Sequence, residues 1–334
     1  MTIDFKVFKG SKDGSIVESK TSKPDLTGDQ VLVKVSCSGL CGTDEHYRHA
    51  DMVLGHEGMG VVEATGPAVR KLQKGDRVGW GYEHDSCGRC ENCLKGNETY
   101  CPERQMYGYA DFDQGSFASR AVWREAFLFE VPDALSDESA APLMCGGATV
   151  FNALHMYNVL PTERVGIIGI GGLGHLAIQF AAKMGCDVVV FSGTDSKKEE
   201  ALALGAKEFH ATKGVAELTG IKPVNHLLVT TSSQPEWATY LPVLAAGATI
   251  YPLSVADGNF SIPYMPLISN GLRVQGSIVA SRHVQNRMLA FAARHGIKPM
   301  VQKFPMTAQG ITDGLQTLKD GNMRYRGVLI PQEA

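Results

Sequence analysis

No run of about 18 apolar residues, the length of a membrane-spanning helix, occurs in the chain. The opening MTIDFKVFKG has no apolar core of the kind a secretory signal carries. These absences exclude a helical membrane protein and set the expectation of a cytoplasmic one. Basic excess is missing too. With 32 Lys and Arg against 35 Asp and Glu, the formal net charge is -3, and no global field draws the chain to nucleic acid or to an anionic membrane surface. Internal repeats and low-complexity linkers are also absent, which argues against a repeat array or a string of tethered modules. What remains is an ordinary globular composition, 44% hydrophobic and 20% charged over 334 residues, enough chain for two domains with a core each.

Up to about residue 150 the pattern is one of short β-branched runs that stop at glycine, as in DQVLVKVSCSG, GMGVVEATG and KLQKGDRVGWG. Near Pro161 it changes. RVGIIGIGGLGHLAIQFAAKMG reads as a buried strand, a glycine turn and a helix ended by Gly185. CDVVVFS, VNHLLVT, ATIYPLS and RVQGSIV read as further strands, with SKKEEALALGA and PEWATYLPVLAAG as helices among them. Strands alternating with helices predict an α/β architecture with a doubly wound parallel sheet. The expected division is residues 1–150 with 285–334 in one domain and 151–284 in the other.

Gly169, Gly171 and Gly174 form a G-x-G-x-x-G turn that encloses Gly172 and Leu173. It follows an apolar strand and opens a helix, the context in which such a turn binds a dinucleotide. Glycines let the backbone approach a pyrophosphate, and the helix N-terminus favours its charge. An acidic residue ending the second strand would select NAD; Ser192 stands there instead, followed by Gly193, Thr194 and, shortly after, Lys197 and Lys198. Hydroxyls and ammonium groups suit a 2′-phosphate, so NADP(H) is the expected cofactor. Asp195 is a competing feature, a few residues late but within reach of a ribose. Lys197 and Lys198 also read as a solvated first helical turn.

Four of the eight cysteines, Cys87, Cys90, Cys93 and Cys101, crowd one loop, CGRCENCLKGNETYC. In a chain expected to be cytoplasmic, such a cluster reads as a metal site rather than as disulfides. Four thiolates suit a closed tetrahedral zinc site that pins a loop with little core of its own. Disulfides, free thiols or another thiophilic metal are the alternatives. A second set of donors lies in CGTDEHYRHADMVLGHE, with Cys41 and His56; Cys145, in APLMCGGATV, is too distant in sequence for spacing to join it to them. Cys37 and Cys186 read as small core residues.

The motifs GLCGTDEH, GHEGMGVV, KGDRVGWG, the four-cysteine loop, APLMCGGATV, GIGGLGHLAIQFAAKMG, SKKEEALALGA and MRYRGVLI follow one another in this order. Through them the chain resembles the zinc-dependent medium-chain alcohol dehydrogenases, and within these the cinnamyl-alcohol-dehydrogenase branch. The resemblance implies a GroES-like β-rich catalytic domain joined to a Rossmann cofactor domain. It implies two zinc ions per chain: a structural one on the four clustered cysteines and a catalytic one on Cys41, His56 and Cys145, with Glu57 beside it. Asp44 would orient His56, Thr43 would bond the substrate oxygen, and His46 would carry the proton outward, histidine being the side chain that titrates near neutral pH. Thr149 would lie near the nicotinamide. Arg324 would reach the cofactor phosphates, with a surface ion pair as its alternative.

The implied reaction is hydride transfer between NADP(H) and a primary alcohol or aldehyde. The alternative on the same fold is reduction of a conjugated C=C or C=N bond, against which intact Thr43 and His46 argue. A small-molecule substrate and a homodimer are the implied partners. Only fourteen residues separate Cys41 from His56, fewer than the resemblance implies, so YRHADMVL is a shortened loop where substrate choice is expected to differ. Trp80, Met106, Tyr109, Phe112 and Met144 are apolar residues that suit either a substrate cleft or the core.

Overall fold

The β-branched run QVLVKVSCSGL becomes the strand Gln30–Leu40, the backbone of the first of two units in the computed structural model, which describes residues 2–256 and 258–332. This unit comprises Met1–Ala148 with Ala280–Ala334, and the second comprises Thr149–Val279. In the first, a seven-stranded sheet runs in the order Val301–Pro305, Arg326–Ile330, Gln30–Leu40, Gly58–Thr65, Arg77–Trp80, Phe129–Glu130, with Arg120–Arg124 also paired to Gln30–Leu40. All pairings are antiparallel except that between Val301–Pro305 and Arg326–Ile330.

Register decides what this sheet brings together. Ser38 lies opposite Gly58 on one side, and Leu40 lies opposite Gly327 on the other. Cys41, the pair His56 and Glu57, and Arg326 therefore all stand at neighbouring strand ends. Alternation along the strand sends Val31, Val33 and Val35 into a core shared with Val62, Trp80, Phe117, Trp123 and Leu329. Trp80 packs on Trp123 at 5.7 Å between ring centroids. Trp80, Met106 and Met144 are buried in this unit, whereas Tyr109 and Phe112 are exposed. Cys37 is a buried core thiol that burial pushes upward in pKa, and in the second unit burial pushes Cys186 up to about 11. Both are the inert kind of cysteine.

Arg282–His295 is a helix of the first unit, closed by Gly296 in the left-handed region at φ 65°. Its first turn is tied to the four-cysteine loop. The buried Glu98 carboxylate accepts from the Arg282 backbone N–H at 2.7 Å and from its Nε at 3.0 Å. This satisfies a helix-start donor and places negative charge where the helix dipole favours it.

The second unit carries a six-stranded sheet with every pairing parallel, ordered Glu208–Ala211, Asp187–Ser192, Arg164–Ile168, Val224–Val229, Leu244–Pro252, Arg273–Val274. Numbered along the chain this is 3-2-1-4-5-6, whose strand order reverses between the first and fourth strands. Two expectations need correction. In PEWATYLPVLAAG only Trp237–Tyr240 is α-helical; Leu241–Val243 is a 3-10 turn and Leu244 already starts the next strand. Pro242, lacking an N–H, cannot extend the helix. In RVQGSIV only Arg273 and Val274 pair.

Gly60 sits where a Cβ would strike the carbonyl of Lys34 on the neighbouring strand, and backbone cannot step aside as a flexible side chain can. Gly60→Ala should destabilise the protein by about 1–3 kcal/mol, measured as a lowered urea midpoint. Gly276→Ala, at a position with open space around it, should leave the midpoint unchanged.

Candidate active site

Cys41 follows the last residue of the strand Gln30–Leu40 and caps the short helix Gly42–His46. Asp44, three residues on, turns its carboxylate back so that Oδ2 accepts the Cys41 backbone N–H at 2.9 Å. Its other oxygen, Oδ1, accepts from His56 Nδ1 at 2.9 Å, from the Gly55 N–H at 3.2 Å and from the Tyr107 hydroxyl at 3.0 Å. Asp44 is fully buried, and so are His56 and Tyr107. Burial, with the Asp44 charge beside it, holds the Tyr107 phenol well above its ordinary pKa, so the hydroxyl stays a donor. A buried carboxylate is tolerated when its lone pairs are filled, and here four donors fill them.

With Nδ1 engaged, His56 presents Nε2, which is buried and has no hydrogen-bond partner. One donor atom each from Cys41, His56, Glu57 and Cys145 lies within 4.8 Å of the others. The adjacent Cys145 and His56 hold the Cys41 thiol well below the ordinary thiol range, against the opposing effect of burial. Two sulfurs and an imidazole nitrogen form the donor set of a zinc site that keeps a position open for substrate, and the orphaned Nε2 is what such a site leaves in the polypeptide. Glu57 shares its two oxygens: Oε1 pairs with buried Arg326, while Oε2 is buried without a partner. Burial raises the Glu57 carboxyl, and Arg326 works against it. Gly39 makes room for this carboxylate, since a Cβ there would collide with it.

Thr43 is half-buried, its hydroxyl 3.9 Å from Cys41 Sγ, and His46 is exposed at the end of the same helix. Tyr107 and Arg326 are the two residues that sequence reasoning missed. Arg326 lies inside MRYRGVLI, where the resemblance points to Arg324 instead; Arg324 is exposed, with its guanidinium 5.6 Å from the Tyr325 ring. Nothing in the sequence pairs Tyr107 with Asp44, 63 positions away.

In the four-cysteine loop the Sγ atoms of Cys87 and Cys93, Cys90 and Cys93, and Cys87 and Cys101 lie 3.9, 3.5 and 3.5 Å apart. These distances exclude disulfides and match the edge of a tetrahedron with zinc–sulfur bonds of ~2.3 Å, about 3.8 Å. The turn aims backbone at sulfur: the Cys90 N–H donates to Cys87 Sγ at 3.3 Å and the Cys87 N–H to Cys101 Sγ at 3.5 Å. The backbone N–H groups of Arg89 and Cys90 bring the Cys87 thiol down to about 7.

In the second unit the glycine turn joins Arg164–Ile168 to the helix Gly174–Lys183. Gly169 has φ 91°, and a Cβ there would press on Thr231; a Cβ at Gly174 would meet the Gly169 carbonyl. Gly171 and Gly193 face open space instead, the room a phosphate chain needs beside backbone. Gly172 and Leu173, which follow Gly171 in the chain, are half-buried, and Thr149 is buried in the helix Gly146–His155. A cavity of about 350 Å³ lies at the strand ends, lined by Gly169, Ser192, Gly193, Thr212 and Tyr240 among others. Ser192 ends its strand, Thr194 is exposed, and Lys197 Nζ donates to the Ile170 carbonyl at 3.2 Å.

The alcohol dehydrogenase GroES-like domain family matches residues 27–133, and the zinc-binding dehydrogenase family matches residues 172–294. The chain is 36% identical to the probable formaldehyde dehydrogenase AdhA of Bacillus subtilis (strain 168), over 91% of this chain and 90% of that protein. It is 32% identical to the NADP-dependent alcohol dehydrogenase C 1 of Mycolicibacterium smegmatis, over 90% and 89%. A cinnamyl alcohol dehydrogenase structure from Sorghum bicolor superposes with a TM-score of 0.90 at 29% identity, covering 98% of each chain. Two metal-donor clusters, a doubly wound sheet with its glycine turn, and these matches agree: the chain belongs to the zinc-containing medium-chain alcohol dehydrogenase family, built from a GroES-like domain and a Rossmann-type unit.

Proposed function

We propose that the protein interconverts a primary alcohol and its aldehyde with NADP(H). The observation that carries this is the convergence of Cys41, His56 and Cys145 on one point, with Nε2 of His56 left unpartnered in the interior. Those three residues hold the catalytic zinc, with Glu57 as the adjacent carboxylate. When bound, zinc supplies a Lewis acid for the substrate oxygen and the nicotinamide supplies or takes the hydride. Asp44 fixes the tautomer and direction of His56. Thr43, next to Cys41 Sγ, holds the substrate oxygen and passes its proton on, and exposed His46 exchanges that proton with water. Cys87, Cys90, Cys93 and Cys101 hold the structural zinc.

NADP(H) is favoured by Ser192, which ends the second strand where a carboxylate would select NAD, by Gly193 and Thr194 just after it, and by Lys197 beside the glycine turn. The M. smegmatis relative is named as NADP-dependent. Gly169, Gly171, Gly172, Leu173 and Gly174 cradle the pyrophosphate, with Thr149 toward the nicotinamide. A homodimer is supported by the open edge strand Arg273–Val274 and the exposed Tyr264, Met265 and Ile268 just before it. Among the described residues no helix is long and apolar enough to cross a membrane.

Assayed against aldehydes, ketones, enals and imines, the protein should oxidise NADPH with aldehydes and prefer it to NADH. Ser192→Asp should cut kcat/KM for NADPH at least about tenfold, or roughly 1.4 kcal/mol. Turnover confined to enals or imines would favour reduction of a conjugated bond instead, and a wild-type preference for NADH would remove the cofactor assignment. Metal analysis should find two zinc ions per chain. Cys41→Ser should lose one of them together with turnover while still binding NADPH; Cys90→Ser should lose the other and unfold at lower temperature. Full activity of zinc-free Cys41→Ser would sink the mechanism. Light scattering should report a dimer, and Ile268→Asp should shift it toward monomer; a wild-type monomer rules the dimer out.

A further inference from the structure

We propose that Tyr107 is a positioning residue for the metal-binding histidine, through both its hydroxyl and its ring. The hydroxyl donates to Asp44 Oδ1 at 3.0 Å, the same oxygen that holds His56 Nδ1. It also accepts the Gly55 N–H at 3.1 Å, and that N–H is shared with Asp44 at 3.2 Å. Gly55 immediately precedes His56. The phenol thus bonds both to the carboxylate that orients the imidazole and to the backbone that delivers it.

The ring acts on His56 directly. Its centroid lies 4.6 Å from that of the imidazole, tilted by 32°, while Tyr82 meets the imidazole edge-on at 5.6 Å and 89°. Tyr47 packs edge-on against Tyr107 at 5.4 Å. Gly108, at φ 81°, lets the chain after Tyr107 lie against Tyr47, whose ring a Cβ there would strike. Tyr47 lies within the short segment between the two ligands, and Gly55 closes it. With only fourteen residues between Cys41 and His56, that segment has little chain of its own to cover the imidazole. The turn around Tyr107 provides the cover, and it enters from a separate part of the sequence.

Without the hydroxyl, Asp44 loses one of four donors and Gly55 loses one of two acceptors. The carboxylate is then free to turn, and His56 with it. The metal should leave faster and feel a changed ligand field. The inference rests on His56 being a zinc ligand, which the metal count of the wild-type protein tests separately.

The experiment compares full-length, zinc-loaded wild type with Tyr107→Phe, which keeps the ring, and Tyr107→Leu, which removes ring and hydroxyl. Zinc release to a chromogenic chelator should show two phases. Tyr107→Phe should accelerate one of them by about tenfold or more and leave the four-cysteine phase unchanged; Tyr107→Leu should accelerate it further. In the cobalt-substituted protein the d–d bands should shift in Tyr107→Phe, and kcat should fall while KM for NADPH holds. In an Asp44→Asn background, adding Tyr107→Phe should accelerate release by less than it does with Asp44 present, the remainder coming through Gly55. Wild-type release rates and an unchanged cobalt spectrum in Tyr107→Phe would overturn the proposal. So would an undiminished effect of Tyr107→Phe in the Asp44→Asn background. A wild type that binds a single zinc would instead remove the underlying assignment of the ligand.

Discussion

The buried carboxylate of Asp44 is the constraint on which the rest of the first unit's site depends. One oxygen closes the turn that begins at Cys41, and the other holds His56. Cys41 and His56, the two donors of the proposed zinc site, are thereby fixed to a single rigid group, although they come from different strand ends. A fully buried charge is costly unless its hydrogen bonds are complete. Here completeness requires Cys41, Gly55, His56 and Tyr107 all to be in place. The cost of leaving any of them out is what makes the geometry definite.

Around that point the sheet register does the coarse placement and local chemistry does the fine. Ser38 opposite Gly58 and Leu40 opposite Gly327 bring three strand ends side by side. Small residues then let the groups close up: Gly39 leaves space for the Glu57 carboxylate, which in turn neutralises buried Arg326. The four-cysteine loop works differently. It has little apolar content, and its order comes from sulfur accepting backbone N–H groups and from four sulfurs placed at tetrahedral spacing. Through Glu98 the same loop secures the start of the helix Arg282–His295, so the four-cysteine loop also organises regular structure.

The second unit was the more legible of the two. Its inner strands are continuous apolar runs because both faces of a parallel sheet are covered, and the glycine turn sits between the first strand and its helix as the motif requires. Reading failed where tertiary context overrode local pattern. The segment PEWATYLPVLAAG has the composition of a helix, yet Leu244–Pro252 is drawn into the sheet by its pairing with Val224–Val229. In the first unit Trp80, Met106 and Met144 are core, while Tyr109 and Phe112 are exposed; burial depends on what folds over a residue and not on its own hydrophobicity.

The sequence alone determined the donors and the cradle: which cysteines stand within one loop, which glycines free the backbone beside a helix start, and that no acid ends the second strand. These are local properties, set by residue type and by spacings of a few positions. Tertiary structure decided everything that joins distant segments. Cys145 meets Cys41 and His56, Tyr107 meets Asp44, and Arg326, not Arg324, meets Glu57. Such pairs arise from strand register and from the need to satisfy buried charge, and a linear sequence displays neither until the chain has closed on itself.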